Sequence, residues 1–135
     1  MVKLRQEDIK TKEVLSWKGI HLFHFTFSAC SMKTRIFMGL KNIDYTGHHI
    51  NLQKKENFSP YFQGITPRSL VPVLVDDGEV HIESNDILKY LDNKFPTLSL
   101  IPKDKEEEIN RMMIEENDLH LDCLLYTSDA ADDMQ

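Results

Sequence analysis

The dipeptide Glu83–Ser84 is the strongest candidate for a binding site in this chain of 135 residues. It stands where an alternating stretch, 79–83, changes to helical spacing, with apolar residues at Ile87, Leu88 and Leu91. Ser84 is a good N-cap. The free N–H groups and the positive dipole end of a helix that begins there suit a carboxylate, and the Glu83 side chain suits an ammonium. The pair is therefore predicted to hold the head group of an α-amino acid.

A proline stands at the head of the preceding buried strand, in Val71–Pro72. Proline is tolerated at the first residue of a strand, and X–Pro bonds are the ones most often cis. We predict a cis bond here, which would turn the N–H and C=O of Val71 outward to pair with an extended peptide. A peptide ligand is then expected along Val71–Pro72, with its head group at Glu83–Ser84. The alternative is an ordinary strand, turn and helix in which the proline has no special role.

These two elements carry a family resemblance. The string LVPVL, followed after a hairpin by ESNDILKYLD, resembles the glutathione-binding half of the glutathione transferase family. The resemblance covers about residues 19–100 and, more loosely, 102–122. It implies that Glu83 and Ser84 hold the γ-glutamyl group and that Val71 pairs with the cysteinyl backbone. It also implies glutathione as co-substrate, a small electrophilic substrate and a homodimeric full-length form.

The stretch 28–31, Ser-Ala-Cys-Ser, resembles the serine- and cysteine-containing motif of the zeta class of that family. The thiolate of glutathione is the nucleophile, and a free cysteine has a pKa of about 8.5. A hydroxyl that donates to the sulfur beside a helix N-terminus favours the charged form. Ser28 is predicted as that donor. Cys30 is the alternative, acting through a mixed disulfide or in an isomerisation, and either residue could be only structural.

Basic residues near these motifs have supporting roles in this interpretation. Arg35 is expected to support the loop that carries Ser28. Lys54, Lys55 and Arg68 are candidates for the glycine carboxylate of glutathione, although solvated surface charges explain them equally well.

The order of elements predicts an α/β fold with a thioredoxin-like domain. Strands are predicted at 20–25, 45–52, 73–75 and 79–83. A first helix is predicted from the apolar stripe Met32, Ile36 and Leu40, which Phe37 widens. An irregular helix at 54–63, interrupted by Pro60, and a third helix ending at Phe95–Pro96 complete the pattern β-α-β-α-β-β-α. Two strands joined by a helix should be parallel, and the last two should form a hairpin.

The two ends of the chain are interpreted separately from the domain at 19–100. Residues 1–18 are polar and are predicted to be a mobile arm. Residues 101–122 are expected to be a linker and the first helix of a truncated all-helical domain, with Ile109, Met112, Met113 and Leu119 as its apolar stripe. Residues 123–133, CLLYTSDAADD, resemble the translation of a transposon-end sequencing adapter. The native protein is therefore expected to continue past Asp122, and 123–135 to be an artefact.

Composition sets broader limits. The net charge of −6 argues against a nucleic-acid surface, and no apolar run is long enough to span a membrane. The first residues lack the apolar core of a signal peptide, so a cytoplasmic location is favoured. Two cysteines make no disulfide framework, and six histidines show no ligand spacing, so no metal site is predicted. The alternative to a transferase is a thioredoxin-like module that holds glutathione or a partner without turnover.

Overall fold

The computed structural model describes residues 2–119. Its strands and α-helices are β1 (Ile20–His24), α1 (Ala29–Leu40), β2 (Thr46–His49), α2 (Pro60–Gln63), β3 (Val73–Asp76), β4 (Glu79–Ile82), α3 (Ser84–Lys94) and α4 (Glu106–Asp118). Short 3-10 helices lie at Gln6–Asp8, Lys12–Ser16, Glu56–Phe58, Pro96–Leu98 and Lys103–Lys105.

The four strands form one sheet in the order β2-β1-β3-β4. β1 runs parallel to β2 and antiparallel to β3, and β3 pairs antiparallel with β4. The hairpin turns at Asp77–Gly78, where both residues have positive φ angles of 46° and 84°, as a tight two-residue connection requires. The predicted thioredoxin-like fold, followed by one further helix, is confirmed.

Alternation along the strands gives the sheet two buried faces. On one face, Phe23, Val73 and Val75 join a cluster completed by α2 and the segments around it. On the other face, Leu22 and Leu74 pack against α1 and α3. We call these the arm face and the helical face.

The N-terminal arm packs against the domain, although the sequence predicts mobility. The N–H of Leu4 donates to the Val80 carbonyl at 2.9 Å, which places the arm along the edge of β4. Ile9 and Val14 are 1% and 0% exposed and belong to the cluster on the arm face, and Trp17 stacks on Phe23. A segment with few apolar residues gives a weak packing signal, yet these few residues cover a face of the sheet that α2 alone is too short to cover.

Most of the apolar stripe predicted for α1 lies on the exposed face of that helix. Met32, Ile36 and Leu40 are 40%, 63% and 59% exposed. Phe37, which widens the predicted stripe, does lie on the buried face, together with Ser31, Thr34 and Met38. Small polar residues pack against the sheet here because their hydroxyls bond to nearby backbone: the Thr34 hydroxyl donates to the Cys30 carbonyl at 2.9 Å.

A further local prediction needs correction. The segment 54–63 is not one interrupted helix, because Pro60 begins α2, with Ser59 as its N-cap, rather than breaking a helix. On β4, His81 is also buried, at 1% exposure. The ring of Tyr90 on α3 stacks on it with centroids 4.1 Å apart, so burial lowers the pKa of His81.

The connection from α3 to α4 is fixed by a buried ion pair. Lys41 and Asp92 are joined at 2.7 Å, and their side chains are 1% and 8% exposed. The Asp92 carboxylate also accepts from the Leu100 N–H at 2.8 Å and from the Ser99 hydroxyl at 2.8 Å. Burial alone would raise the pKa of Asp92, but these hydrogen bonds outweigh it and hold the pKa below its ordinary value. The start of the linker is therefore held against the helical face.

No helix within residues 2–119 has the length and apolar character needed to cross a membrane. The sequence predictions for 123–135, and for the last residues of the helix predicted up to 122, lie outside the described residues.

Candidate functional site

A pocket of about 310 Å³ lies where the loop before β3, the β4–α3 junction, α1 and α4 meet. It is lined by Cys30, Thr66, Arg68, Leu70, Val71, Pro72, Ile82, Glu83, Ser84, Glu116 and Asn117. Small-molecule sites begin at about 300 Å³. The pocket therefore unites both motifs that the sequence singled out. We call the part at Glu83–Ser84 the head-group end and the part at the start of α1 the thiol end.

The head-group end is shaped by an unusual backbone at Glu83. This residue takes the N-cap position of α3 with φ 71° and ψ 111°, and Ser84 is the first helical residue. The sequence placed the cap one residue later, at Ser84. A positive φ is rare for a residue with a side chain and costs of order 1–3 kcal/mol. The turn from β4 into α3 requires it, and such strain is characteristic of functional sites.

The Glu83 carboxylate is paired with the Arg68 guanidinium. Their side chains are 40% and 54% exposed, so solvent screens the pair and its contribution to stability is small. Ser84 is 8% exposed and lies beside it. The head-group end thus presents a carboxylate, a guanidinium, a hydroxyl and a helix N-terminus.

Val71 and Pro72 form the floor of the pocket, and the bond between them is cis, as the sequence predicted. The loop that leads to them is held by Asn57, a buried residue that the sequence analysis missed. Its Nδ2 donates to the Ser69 carbonyl at 3.0 Å. Ser69 has a positive φ of 56°, which explains why a fixed side chain is needed there. A single polar residue in a polar segment gives no signal of this role.

At the thiol end, Cys30 lines the pocket and Ser28 does not. Ser28 is 4% exposed and caps α1, because its Oγ accepts from the Ser31 N–H at 3.2 Å. The Ser31 hydroxyl in turn accepts from the Phe25 N–H at 3.2 Å. Cys30 is the second helical residue of α1, where the helix dipole favours a negative sulfur.

Arg35 supports this loop, as predicted. One of its terminal nitrogens donates to the Thr26 carbonyl at 3.2 Å. Lys54, by contrast, is exposed and does not line the pocket. Of the basic candidates for the site, only Arg68 lines the pocket.

The fourth wall of the pocket comes from α4 through Glu116 and Asn117. The apolar stripe predicted for this helix includes neither residue. Lys33 donates to Glu116 Oε1 at 2.6 Å and to Asn85 Oδ1 at 2.7 Å, which joins α4 to α1 and α3. Which polar residues of α4 face the pocket depends on how the helix docks, and the sequence carries no sign of that.

Two histidines lie close to each other outside the pocket. His21 Nδ1 lies 2.9 Å from His48 Nε2 across the β1–β2 pair, on the arm face. Sequence spacing could not reveal this pair, because the strands are far apart in the chain. Within residues 2–119, no three His, Cys, Asp or Glu side chains are placed to hold a metal ion together.

Fold and pocket together define a thioredoxin-like domain with a cavity of small-molecule size beside the β4–α3 junction. The family described as glutathione S-transferase, N-terminal domain, matches residues 22–103. The chain belongs to this family.

Named relatives agree with that assignment. A zeta-class glutathione S-transferase of Euphorbia esula is 40% identical over 85 residues, which is 63% of this chain and 38% of the plant protein. A holo structure of maleyl pyruvate isomerase, a bacterial zeta-class glutathione S-transferase, matches with a TM-score of 0.64 and 30% identity over 67% of this chain and 44% of that one. A glutathione transferase homologue from Drosophila mojavensis with bound glutathione has a TM-score of 0.67 and 26% identity, covering 74% and 48%. The chain therefore spans less than half the length of these relatives.

Proposed function

We propose that this chain is the glutathione-binding part of a glutathione transferase, which stabilises the glutathione thiolate for attack on an electrophile. The observation that carries the proposal is one pocket lined by Cys30, Val71–Pro72 and Glu83–Ser84. These groups match the thiol, the peptide backbone and the head group of a γ-glutamyl tripeptide. A homodimeric full-length form in the cytoplasm is part of the proposal, supported by the family resemblance.

The head group of glutathione is assigned to Glu83 and Ser84. Its α-carboxylate would accept from the Ser84 hydroxyl and from N–H groups in the first turn of α3, and its ammonium would pair with the Glu83 carboxylate. In the structure the Arg68 guanidinium pairs with that carboxylate. The ammonium therefore replaces an existing charge partner, and Arg68 becomes available to the glycine carboxylate.

The thiol of glutathione is assigned to the start of α1. Ser28 already accepts a hydrogen bond through its oxygen, and a hydroxyl in that position still carries a proton that it can donate to sulfur. Cys30 has the better access to the pocket. We retain Ser28 as the proposed donor and Cys30 as the alternative, which would act through a mixed disulfide or in an isomerisation.

The reaction that follows is a substitution at carbon. The thiolate sulfur forms a bond to an electrophilic carbon, the leaving group departs with its bonding pair, and the thiol proton has already passed to solvent. The helix N-terminus and a donating hydroxyl favour the thiolate before this step. A fall of about two units in the thiol pKa corresponds to about 2.7 kcal/mol.

A glutathione titration, run beside a conjugation assay with an aromatic halide, tests the proposal. We expect saturable binding by the chain, and turnover that disappears when the halide is omitted. The Ser16→Ala variant is a matched control, since Ser16 is exposed and bonds only to the Glu13 carbonyl among the interactions described. Binding without turnover by the full-length protein would favour the non-catalytic module, and absence of binding would overturn the assignment of the pocket.

A further inference from the structure

A polar cluster joins three helices beside the pocket. Lys33 of α1 donates from its ammonium to Asn85 Oδ1 at 2.7 Å and to Glu116 Oε1 at 2.6 Å. The side chains of Lys33 and Glu116 are 24% and 28% exposed, so this ion pair is shielded from water far more than the pair between Arg68 and Glu83. Shielding strengthens a charge-assisted hydrogen bond relative to an exposed one.

Asn85 is the centre of this cluster. It is 6% exposed and uses both ends of its amide. Its oxygen accepts from Lys33, while Nδ2 donates to the Met113 carbonyl at 3.3 Å and to Asn117 Oδ1 at 3.1 Å. A buried amide with every contact directed at a neighbouring helix positions that helix, because each lost bond would leave a buried polar atom unpaired.

The same cluster is continuous with the pocket. Glu116 and Asn117 line its wall on α4, and Lys33 follows Cys30 by three residues, which places both on one side of α1. The apolar contact of α4 with the helical face is made by Met113, whereas Met112 and Ile114 are 58% and 61% exposed. Docking of α4 therefore depends strongly on the polar cluster.

We propose that Lys33 and Asn85 are positioning residues that hold α4 in place as a wall of the pocket, so that ligand binding and α4 docking are coupled. The nature of the ligand, glutathione, rests on the proposed function. By linkage, a ligand that contacts both α4 and the rest of the pocket stabilises the docked helix, and a docked helix raises the affinity for that ligand to the same degree. Lys33 acts through Glu116 and needs no contact with the ligand.

Charge exchange tests this coupling. Lys33→Glu and Glu116→Lys each place like charges together and should weaken glutathione binding about tenfold, whereas the double variant K33E/E116K should recover most of the affinity. Lys33→Arg should retain it. The matched control is Lys103→Glu, which makes the same change in net charge at an exposed residue outside the pocket. Glutathione affinity is measured by calorimetry at one salt concentration.

Amide hydrogen exchange supplies a second measurement, in which the comparison of Lys33→Glu with the parent needs no ligand. We expect faster exchange in α4 of the Lys33→Glu variant, unchanged exchange in Lys103→Glu, and slower exchange in α4 of the parent when glutathione is added. Unchanged α4 exchange in Lys33→Glu would overturn the positioning role, even if glutathione binds. A double variant weaker than both single variants would show that Lys33 acts on the ligand directly. Failure of the parent to bind glutathione would overturn the proposed function and the coupling, while the exchange measurement would still decide whether Lys33 holds α4.

Discussion

At the head-group end of the pocket, Glu83 and Ser84 stand at the junction of β4 and α3, where the backbone turns with a positive φ at Glu83. At the thiol end, Ser28 and Cys30 lie at the start of α1, where Ser28 serves as the helix cap. The residue with the strained backbone at the head-group end is Glu83. The residue at the thiol end, Ser28, is needed as the N-cap of α1 whether or not it takes part in chemistry.

The two residues differ in what the fold itself requires of them. A strained glutamate has no evident benefit for folding, so a binding role is predicted for Glu83. A capping serine stabilises its helix by about 1 kcal/mol, so its presence is accounted for without any role in chemistry. Variants at each end can therefore separate an effect on binding from an effect on folding.

The largest effect is expected at the head-group end. Glu83→Gln and Ser84→Ala should each weaken glutathione binding by about 2–3 kcal/mol, because each removes one partner of a charge-assisted contact. Calorimetric titration of both variants beside Ser16→Ala measures this. If both variants bind as tightly as the control, the head group lies elsewhere and the contrast between the two ends disappears.

Substitutions at the thiol end should change the ionisation of the bound glutathione thiol more than the affinity for glutathione. Ser28→Ala is expected to raise the pKa of the bound glutathione thiol by about one to two units, or about 1.4–2.7 kcal/mol, while Cys30→Ala changes it less. The thiolate absorbance of the full-length protein, followed against pH, reports this. A larger shift in the cysteine variant would exchange the two assignments, in agreement with the better access of Cys30 to the pocket.

A third variant, at Glu83, should have opposite effects on stability and on glutathione binding. Glu83→Gly should stabilise the fold by about 0.5–1 kcal/mol, since relief of the strained backbone exceeds the entropy cost of a glycine, yet it should lose glutathione affinity. Urea unfolding and calorimetry measure the two quantities. Glu83→Gln is the matched control, because it keeps the strain and loses only the charge. A Glu83→Gly variant less stable than the parent would show that the turn is not strained.

The local backbone structure around Glu83 and Ser84 could be predicted from the sequence because its signals are local. The change of period at Ser84, the hairpin of the last two strands and the proline before β3 all lie within one short stretch, and the structure reproduces each of them, with a shift of one residue at the helix start. The order of strands follows from the same patterns and from the handedness of the first crossover.

Features that depend on how the elements pack against one another could not be predicted from the sequence. The stripe of Met32, Ile36 and Leu40 shows only that one side of α1 is apolar, and the sheet packs against the other side. Ile9 and Val14 look too sparse to form a core, yet the arm brings them onto the sheet. Glu116 lines the pocket because α4 packs across α1 and α3. The residues of α1 that contact α4 are far from it in the sequence.

The smallest effect is expected from pH. It should change the free energy of unfolding without distinguishing the head-group end from the thiol end. Burial lowers the pKa of His24 and His48 below 6.5, with His48 further lowered by His21. His21 Nε2 lies 2.9 Å from the Lys18 carbonyl and must donate to it, so His21 Nδ1 accepts and His48 Nε2 donates within the pair.

Below about pH 6.5 the unfolded chain therefore binds more protons than the folded chain, and the free energy of unfolding falls as pH is lowered towards the folded pKa values. Above that pH these histidines contribute no slope. Urea titrations at several pH values should show a shallower slope for His48→Gln than for the parent. The ratio of the glutathione affinities of the two proteins should stay constant between pH 6 and 7, because no histidine within residues 2–119 lines the pocket. A ratio that changes over this range would mean that the histidine pair on the arm face is coupled to the pocket, and that the two ends cannot be treated separately from the sheet beneath them.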